Sequence, residues 1–245
     1  MGDRPSEVSR FRAARRAFLL AGGAALLGAC APRPVGVHQA TEVPAPTWRV
    51  HDRWTYRRTD LYRGLDAGTL TREVVARGAD GVLQVVTRDQ AGRVLDDARF
   101  TAPGLLVSGT LSEDGPVAGS FAPPIELYAF PLASGKAWRQ SFTRTDSGGL
   151  RRPGSVAASA EGWETVRAAG REHRALAIRR RWNLGPKDSF HGELFRSELE
   201  WYAPEVGGAV RLSVSESFFE RPNQVLGEMM PGARYLYELV SVTAA

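Results

Sequence analysis

The sequence predicts an all-β protein, an antiparallel meander that forms a β-sandwich or a half-open β-barrel. Three observations carry this expectation. From Trp48 onward apolar and polar residues alternate with a period of two, the spacing that puts successive side chains on opposite faces of a strand. Turn-forming residues interrupt the alternation about every ten positions, the rhythm of short consecutive strands. Helical periodicity never outlasts two turns, with Ala157–Ala169 the one ambiguous stretch.

The expected strands can be taken in order. Arg53–Thr59 begins the series, with Trp54 and Tyr56 on one face. Thr69–Arg77 and Val82–Arg88 form a hairpin across the polar turn 78–81. Val94–Phe100, Leu105–Leu111, Ile125–Phe130 and Ala137–Thr145 continue the meander, followed by Ser155–Ala160, Thr165–Ala168 and His173–Trp182. Leu194–Tyr202 alternates most clearly, with Phe195, Leu199 and Trp201 on one face and Arg196, Glu198 and Glu200 on the other. Beyond the turn 204–208, Ala209–Phe219 alternates Val210, Leu212 and Val214 with Arg211, Ser213 and Ser215, and Arg234–Val242 ends the series. Antiparallel sheets commonly bury one face and wet the other. The apolar sets are therefore expected in the core, and the face of Arg196, Glu198 and Glu200 in water. Asp52–Asp60 and Lys136–Asp146 also echo each other as aromatic strands after a turn. The domain reads either as two similar halves or as amphipathic strands that look alike in an Arg-rich chain.

The first 47 residues have a different character. Arg4, Arg10, Arg12, Arg15 and Arg16 make a basic stretch relieved only by Asp3 and Glu7, and Ala17–Gly28 is apolar and uncharged. That run is shorter than the roughly 20 residues a helix needs to cross a bilayer. A charged start, a short apolar core and small residues before a break describe a cleaved signal. Residues 15–30 resemble a twin-arginine export signal (Arg15, Arg16, Phe18, Leu19) joined to a lipobox, Leu27-Gly28-Ala29-Cys30. The resemblance implies a signal peptide over 1–29 and lipid on Cys30. It also implies anchorage to a membrane facing the periplasm, the outer membrane being the expected one. Residues 30–47 hold four prolines and favour an extended tether, leaving 48–245 as the β-domain.

Removing 29 of 245 residues leaves 216, ample for one domain with its own core. The signal takes five arginines and two acids with it, so the formal +5 falls to about +2. Nothing in that balance calls for nucleic acid. Cys30 is the one cysteine, so no disulfide staples the fold in an oxidising compartment.

Motifs that carry chemistry are sparse. The histidines, His38, His51, His173 and His191, stand in no metal-ligand arrangement. His191-Gly-Glu193 shares the His-x-Glu of zinc deaminases but lacks their cysteine pair. Neither a Gly-x-Ser-x-Gly elbow nor a glycine-rich phosphate loop occurs. No metal, cofactor or enzymatic activity is expected, and Asp96-Asp97 reads as a turn edge. Glu198 and Glu200 lie two apart on one strand face and suit the paired carboxylates of glycoside hydrolysis. A cell-wall-directed glycoside hydrolase is therefore the alternative function. The plainer reading is a charged ladder paired across the hairpin with Arg211. Arg179-Arg180-Arg181 beside Trp182 is the densest basic cluster. Arg179, Arg181 and Trp182 are the candidate contacts for an anionic ligand, with solvated edge-strand charge as the other reading. Tyr128-Ala-Phe130, Phe218-Phe219 and Met229-Met230 suit either an acyl-chain cavity or the core.

Two further segments, Phe130–Trp138 (Phe-Pro-Leu-Ala-Ser-Gly-Lys-Ala-Trp) and Trp201–Arg211 (Trp-Tyr-Ala-Pro-Glu-Val-Gly-Gly-Ala-Val-Arg), resemble signatures of uncharacterised families of bacterial periplasmic, β-rich proteins. The chain departs from them at His51-Asp52, where a glycine often precedes the aspartate. The resemblance implies fold class and compartment, and carries over no catalytic residue. The expected function is an envelope lipoprotein with a non-catalytic binding or scaffold domain for a lipid or an envelope partner protein.

Overall fold

A computed structural model describes residues 42–113, 117–186, 191–220 and 227–245. Arg15, Arg16, Phe18, Leu19, Leu27, Gly28, Ala29 and Cys30 lie outside the described residues. Among those described, twelve strands follow one another: β1 (Arg53–Asp60), β2 (Leu65–Arg77), β3 (Leu83–Asp89), β4 (Val94–Ala102), β5 (Leu105–Thr110) and β6 (Ala118–Glu126), then β7 (Ala137–Thr145), β8 (Arg151–Ala168), β9 (Arg171–Pro186), β10 (His191–Ala203), β11 (Gly208–Glu220) and β12 (Met229–Thr243). Each is antiparallel to the next, and β12 pairs back onto β1 from Arg53↔Thr243 to Asp60↔Tyr235. The meander is thus a closed barrel, neither a sandwich nor a half-open one. Closure pairs both edges that an open sheet would leave exposed.

Three expected strands differ for local reasons. Ser155–Ala160 and Thr165–Ala168 are one strand, β8, whose pairing with β9 shifts register between Ala160 and Gly162 without ending. The strand β6 starts well before Ile125, hidden in the sequence by Pro123 and Pro124. Prolines cannot donate to a ladder, and β6 pairs with β7 only through Ser120, Phe121 and Ala122. Side chains carry the seam onward. Glu126 N donates to Gln140 Oε1 (2.8 Å), Gln140 Nε2 to Pro124 O (2.8 Å) and Trp138 Nε1 to Glu126 O (3.0 Å).

The long strands β8 and β9 close one end of the barrel. Their hairpin tip, Ala169-Gly170, has both φ angles positive (49° and 75°), the conformation of a two-residue hairpin turn. Pairing of β11 with β12 begins at Arg211↔Glu238, so Leu239 lies beyond it, and Ala169 N donates to Leu239 O at 3.0 Å. Val166, Ala168 and Ala175 thereby join Trp48, Trp54, Val206, Val210 and Leu239 in the main apolar cluster. Trp48 meets Trp54 and Phe100 edge-on, with centroids 5.7 and 5.3 Å away, and donates to Gly207 O. Val43, read from the sequence as tether, is buried and bridges Leu132. The echoed segments occupy β1 and β7, six strands apart. Each ends on an aspartate that accepts turn amides, Asp60 from Tyr62 and Arg63, Asp146 from Gly148 and Leu150. Such Asx turns suit any hairpin. The outer wall carries ion pairs, among them Arg53–Glu73 (2.9 Å) and Arg57–Glu238 (2.7 Å).

Candidate functional site in the barrel lumen

Strand register decides which face of each alternating strand looks inward. Glu198 stands between Arg180 of β9 and Val214 of β11, Arg196 between Trp182 and Glu216, and Glu200 between Ile178 and Leu212. These side chains all project into the lumen. The expected assignment for β10 is therefore reversed: Arg196, Glu198 and Glu200 point inward, while Phe195, Leu199 and Trp201 are half-buried on the outside. Leu199 pairs with Ser213 and Trp201 with Arg211. The Trp201 ring lies 5.7 Å from the Arg211 guanidinium and its Nε1 donates to Glu164. Arg211 pairs with Glu238 on the outer face and not with Glu198 or Glu200. Alternation alone sets the phase of a strand. It does not say which phase faces the lumen, and paired charges tolerate an interior that single charges do not.

Inside, the charges form one continuous network. Arg180 Nη1 donates to Glu198 Oε2 (3.0 Å) and Glu200 Oε2 (2.7 Å), its Nε to Leu127 O (3.1 Å), and Tyr128 Oη donates to Glu200 Oε1 (2.5 Å). Arg196 Nε donates to Glu198 Oε1 (2.6 Å), and its Nη1 to Leu111 O (3.2 Å) and Glu216 Oε1 (3.1 Å). Glu216 also accepts from Ser112 Oγ and Glu113 N, both at 2.9 Å. The side chains of Arg180, Glu198 and Glu200 are 3, 7 and 4% exposed.

Burial and charge oppose each other at each member. Burial would raise the Glu198 pKa, but Arg196 and Arg180 outweigh it and hold the carboxyl below its ordinary value. Burial would lower Arg180, but Glu200 and Glu198 together push it up, and Arg196 is likewise raised by Glu198, Glu113 and Glu216. Tyr56, Tyr128 and Tyr237 are raised chiefly by burial; Glu200 adds to the rise at Tyr128 and Glu113 at Tyr237, whereas at Tyr56 the Arg72 charge opposes it more than Glu200 adds. Asp96 is raised by burial despite accepting from Thr110.

Beside this network lies a cavity of about 450 Å³, within the range of small-molecule sites. Leu70, Phe100, Leu106, Leu127 and Leu212 line part of it; Tyr56, Arg58, Arg72, Asp96, Tyr128 and Trp182 are among the polar and aromatic residues on the rest, together with Arg180, Arg196, Glu113, Glu198 and Glu200 of the network. Arg72 differs from the network arginines. Its guanidinium lies 5.3 Å from the Trp48 ring and 5.5 Å from that of Phe100. Among the described residues it has no ion pair and donates no hydrogen bond. Arg58 sits 4.8 Å over Tyr235 and donates at 3.4 Å to Ala67 O, also without an ion pair. Four buried polar atoms on the lining, Arg58 Nε, Arg180 Nη2, Trp182 Nε1 and Tyr237 Oη, have no hydrogen-bond partner among the described residues.

The remaining sequence candidates are spread out. The trio Arg179, Arg181 and Trp182 is split by the sheet, because adjacent strand residues face opposite ways. Arg179 and Arg181 are exposed outside, Arg179 paired with Glu161, whereas Trp182 is buried inside. The inward arginine is Arg180. Tyr128 lines the cavity; Phe130 packs against Tyr202 in a separate cluster, and Phe219 and Met229 are exposed. Asp97 faces outward to Gln84 while Asp96 faces the lumen. His173 is buried between Glu205 and Ala168 O, and His51 is exposed beside Glu73. Among the described residues no cluster of His, Cys, Asp or Glu is placed to hold a metal.

Sequence reasoning passed over Arg58, Arg72 and Glu216, and took Arg196 for a solvated residue. The available signal was in β10, where Arg196, Glu198 and Glu200 recur at i, i+2 and i+4 opposite an equally regular apolar face. In a barrel wide enough to hold side chains and a cavity, either face can be the inner one.

No protein family and no curated protein matches the chain. Some solved structures are similar to it. A candidate lipoprotein from Parabacteroides distasonis is 12% identical with a TM-score of 0.45, over 82% of this chain and 99% of that one. A candidate exported protein with a YmcC-like fold from Bacteroides fragilis is 13% identical with a TM-score of 0.39, over the same shares. The hypothetical lipoprotein YmcC from Escherichia coli is 13% identical with a TM-score of 0.40, over the whole of both chains.

Proposed function

We propose that this chain is a cell-envelope lipoprotein, lipidated at Cys30, whose barrel is a non-catalytic chamber for a small ligand of lipid character. The observation that carries this reading is the lumenal cavity of about 450 Å³, lined on one part by leucines and phenylalanine and on another by arginines and tyrosines. A lining of that mixed kind suits a ligand with one polar and one apolar part. The ion pairs on the outer wall stand where a membrane-spanning barrel has an apolar belt, and suit a barrel held beside a membrane by a lipid. Glycoside hydrolysis through Glu198 and Glu200 asks for one carboxyl that keeps its proton. Here both accept from Arg180, and Glu198 is held ionised by Arg196 as well.

Docking of an envelope partner is a second reading, favoured by one feature. Tyr62, Leu65, Val94, Leu150 and Met229 are exposed at or beside the β1–β2, β3–β4, β7–β8 and β11–β12 connections, all at one end of the meander. Apolar side chains exposed at one end of a barrel suit an interaction site.

Mass spectrometry of material extracted from the purified protein tests the chamber. A stoichiometric amphiphile is expected; a lumen that yields none, and takes up none when amphiphiles are supplied, overturns the reading. For the anchor, Cys30→Ala should abolish incorporation of labelled fatty acid and shift the protein from the membrane to the soluble envelope fraction. Unchanged fractionation and labelling would rule the anchor out.

A further inference from the structure

The charged residues around the cavity divide into those already neutralised and those that are not. Glu198, Glu200 and Glu216 are engaged by Arg180 and Arg196, so the acidic side of the lining is largely spent within the protein. Among the described residues two lining cations remain without an ion pair, Arg58, which donates to Ala67 O, and Arg72, which donates to nothing described and acts electrostatically on the unpaired carboxyl of Asp96. The rings of Trp48 and Phe100 hold the Arg72 guanidinium, a contact that orients a cation without using its N–H groups. All five of those donors remain without a described acceptor, on a side chain that lines the cavity.

A second, independent observation points the same way. Arg180 is 97% buried, since its side chain is 3% exposed, and its Nη2 has no acceptor within the protein. Trp182, also on the lining, leaves Nε1 equally unmatched. A buried donor without an acceptor costs free energy that a ligand oxygen would recover. Arg72 and Arg180 both act electrostatically on the Tyr128 hydroxyl, so the two cations address one space. The unmet polar groups there are donors, and acceptor oxygens on a negatively charged group answer them.

We infer that the lumen takes an amphiphile with an anionic head, carboxylate or phosphate, and that Arg72 receives the head while Leu70, Phe100, Leu106, Leu127 and Leu212 line its apolar body. The inference rests on the chamber reading above and adds the sign of the ligand's charge and the residue that reads it.

Calorimetric titration of the full chain carrying Cys30→Ala, which avoids detergent, tests it with four probes: octanoate, octyl phosphate, octanol and inorganic phosphate. Octanoate and octyl phosphate should bind about tenfold or more tighter than octanol, the scale of a charge-assisted hydrogen bond. Inorganic phosphate should bind at least about tenfold more weakly than octyl phosphate, because it lacks the apolar body. Arg72→Gln should erase the gap between octanoate and octanol while leaving octanol affinity unchanged, and Arg72→Lys should keep part of it. Equal binding of octanol and the two anions overturns the anionic head and leaves the chamber standing. A gap that persists in Arg72→Gln overturns the role of Arg72, and free phosphate as tight as octyl phosphate overturns the apolar body. If none of the four binds, chamber and inference fail together. Should Arg72→Gln not fold, the comparison of probes on the unsubstituted lumen still decides the anionic head.

Discussion

Glu198 accepts from two arginines, Arg180 across the ladder on β9 and Arg196 two residues back on β10. All three side chains are largely out of water. Replacing one partner of such a set strands the others: Glu198→Gln should cost about 3–5 kcal/mol of stability in urea unfolding. The pH dependence follows from the direction of the Glu198 shift. Its folded pKa lies below the unfolded value, so its contribution is fully present above the unfolded pKa and is lost as pH falls through the folded one. Glu198→Gln should therefore flatten the acid limb of stability below the ordinary glutamate pKa of about 4.3. Asp96 works oppositely. Its pKa is raised by burial, so its ionisation removes stability as pH rises through the folded value, and that cost is absent below the unfolded one. A wild-type limb no steeper than that of Glu198→Gln would show that the pair contributes nothing.

At the scale of elements, side-chain hydrogen bonds stand in for regular pairing between β6 and β7. The prolines of β6 remove ladder donors, and Gln140 bridges the gap with both ends of its amide. Gln140→Ala should cost about 1–2 kcal/mol, two ordinary hydrogen bonds, and hydrogen exchange should quicken at Ser120, Ala122 and Thr143 before it does elsewhere. Uniform exchange across the barrel would show that the seam does not depend on Gln140. The neighbouring β7–β8 seam is paired along its whole length, from Ala137↔Ser159 to Thr145↔Arg151, and also contains a close approach. Gly154 of β8 stands opposite Phe142 of β7, and a Cβ there would meet the ring at 2.5 Å. The strands themselves were largely readable, because a period of two is written in consecutive residues. The start of β6 was not, since Pro123 and Pro124 read as a break wherever a side chain from another strand cannot be foreseen. The same holds for the continuity of β8 through Gly162.

The molecule as a whole combines a closed wall, an end filled by the β8–β9 hairpin and Trp48, and a charged lumen beside a cavity. Its proposed address is read from residues 15–30 alone. Replacing Arg15 and Arg16 by lysine should block export if the twin-arginine route is used, which fractionation with an unprocessed-precursor assay would detect; continued export would assign the general secretory route. The all-β class, the antiparallel order and the sparseness of catalytic motifs follow from local features, namely alternation, turn residues and the absence of spaced ligand sets. The candidate site follows from none of these. Glu198 meets Arg180 only through the β9–β10 register, Arg196 meets Glu216 only through β10–β11, and Arg72 reaches Trp48 and Phe100 from three separate parts of the chain. Barrel closure selects which of two equally regular faces looks inward. It turns a strand ladder that reads as solvated into a buried ionic network, because alternation is a property of neighbours in sequence whereas inside and outside belong to the completed ring of strands.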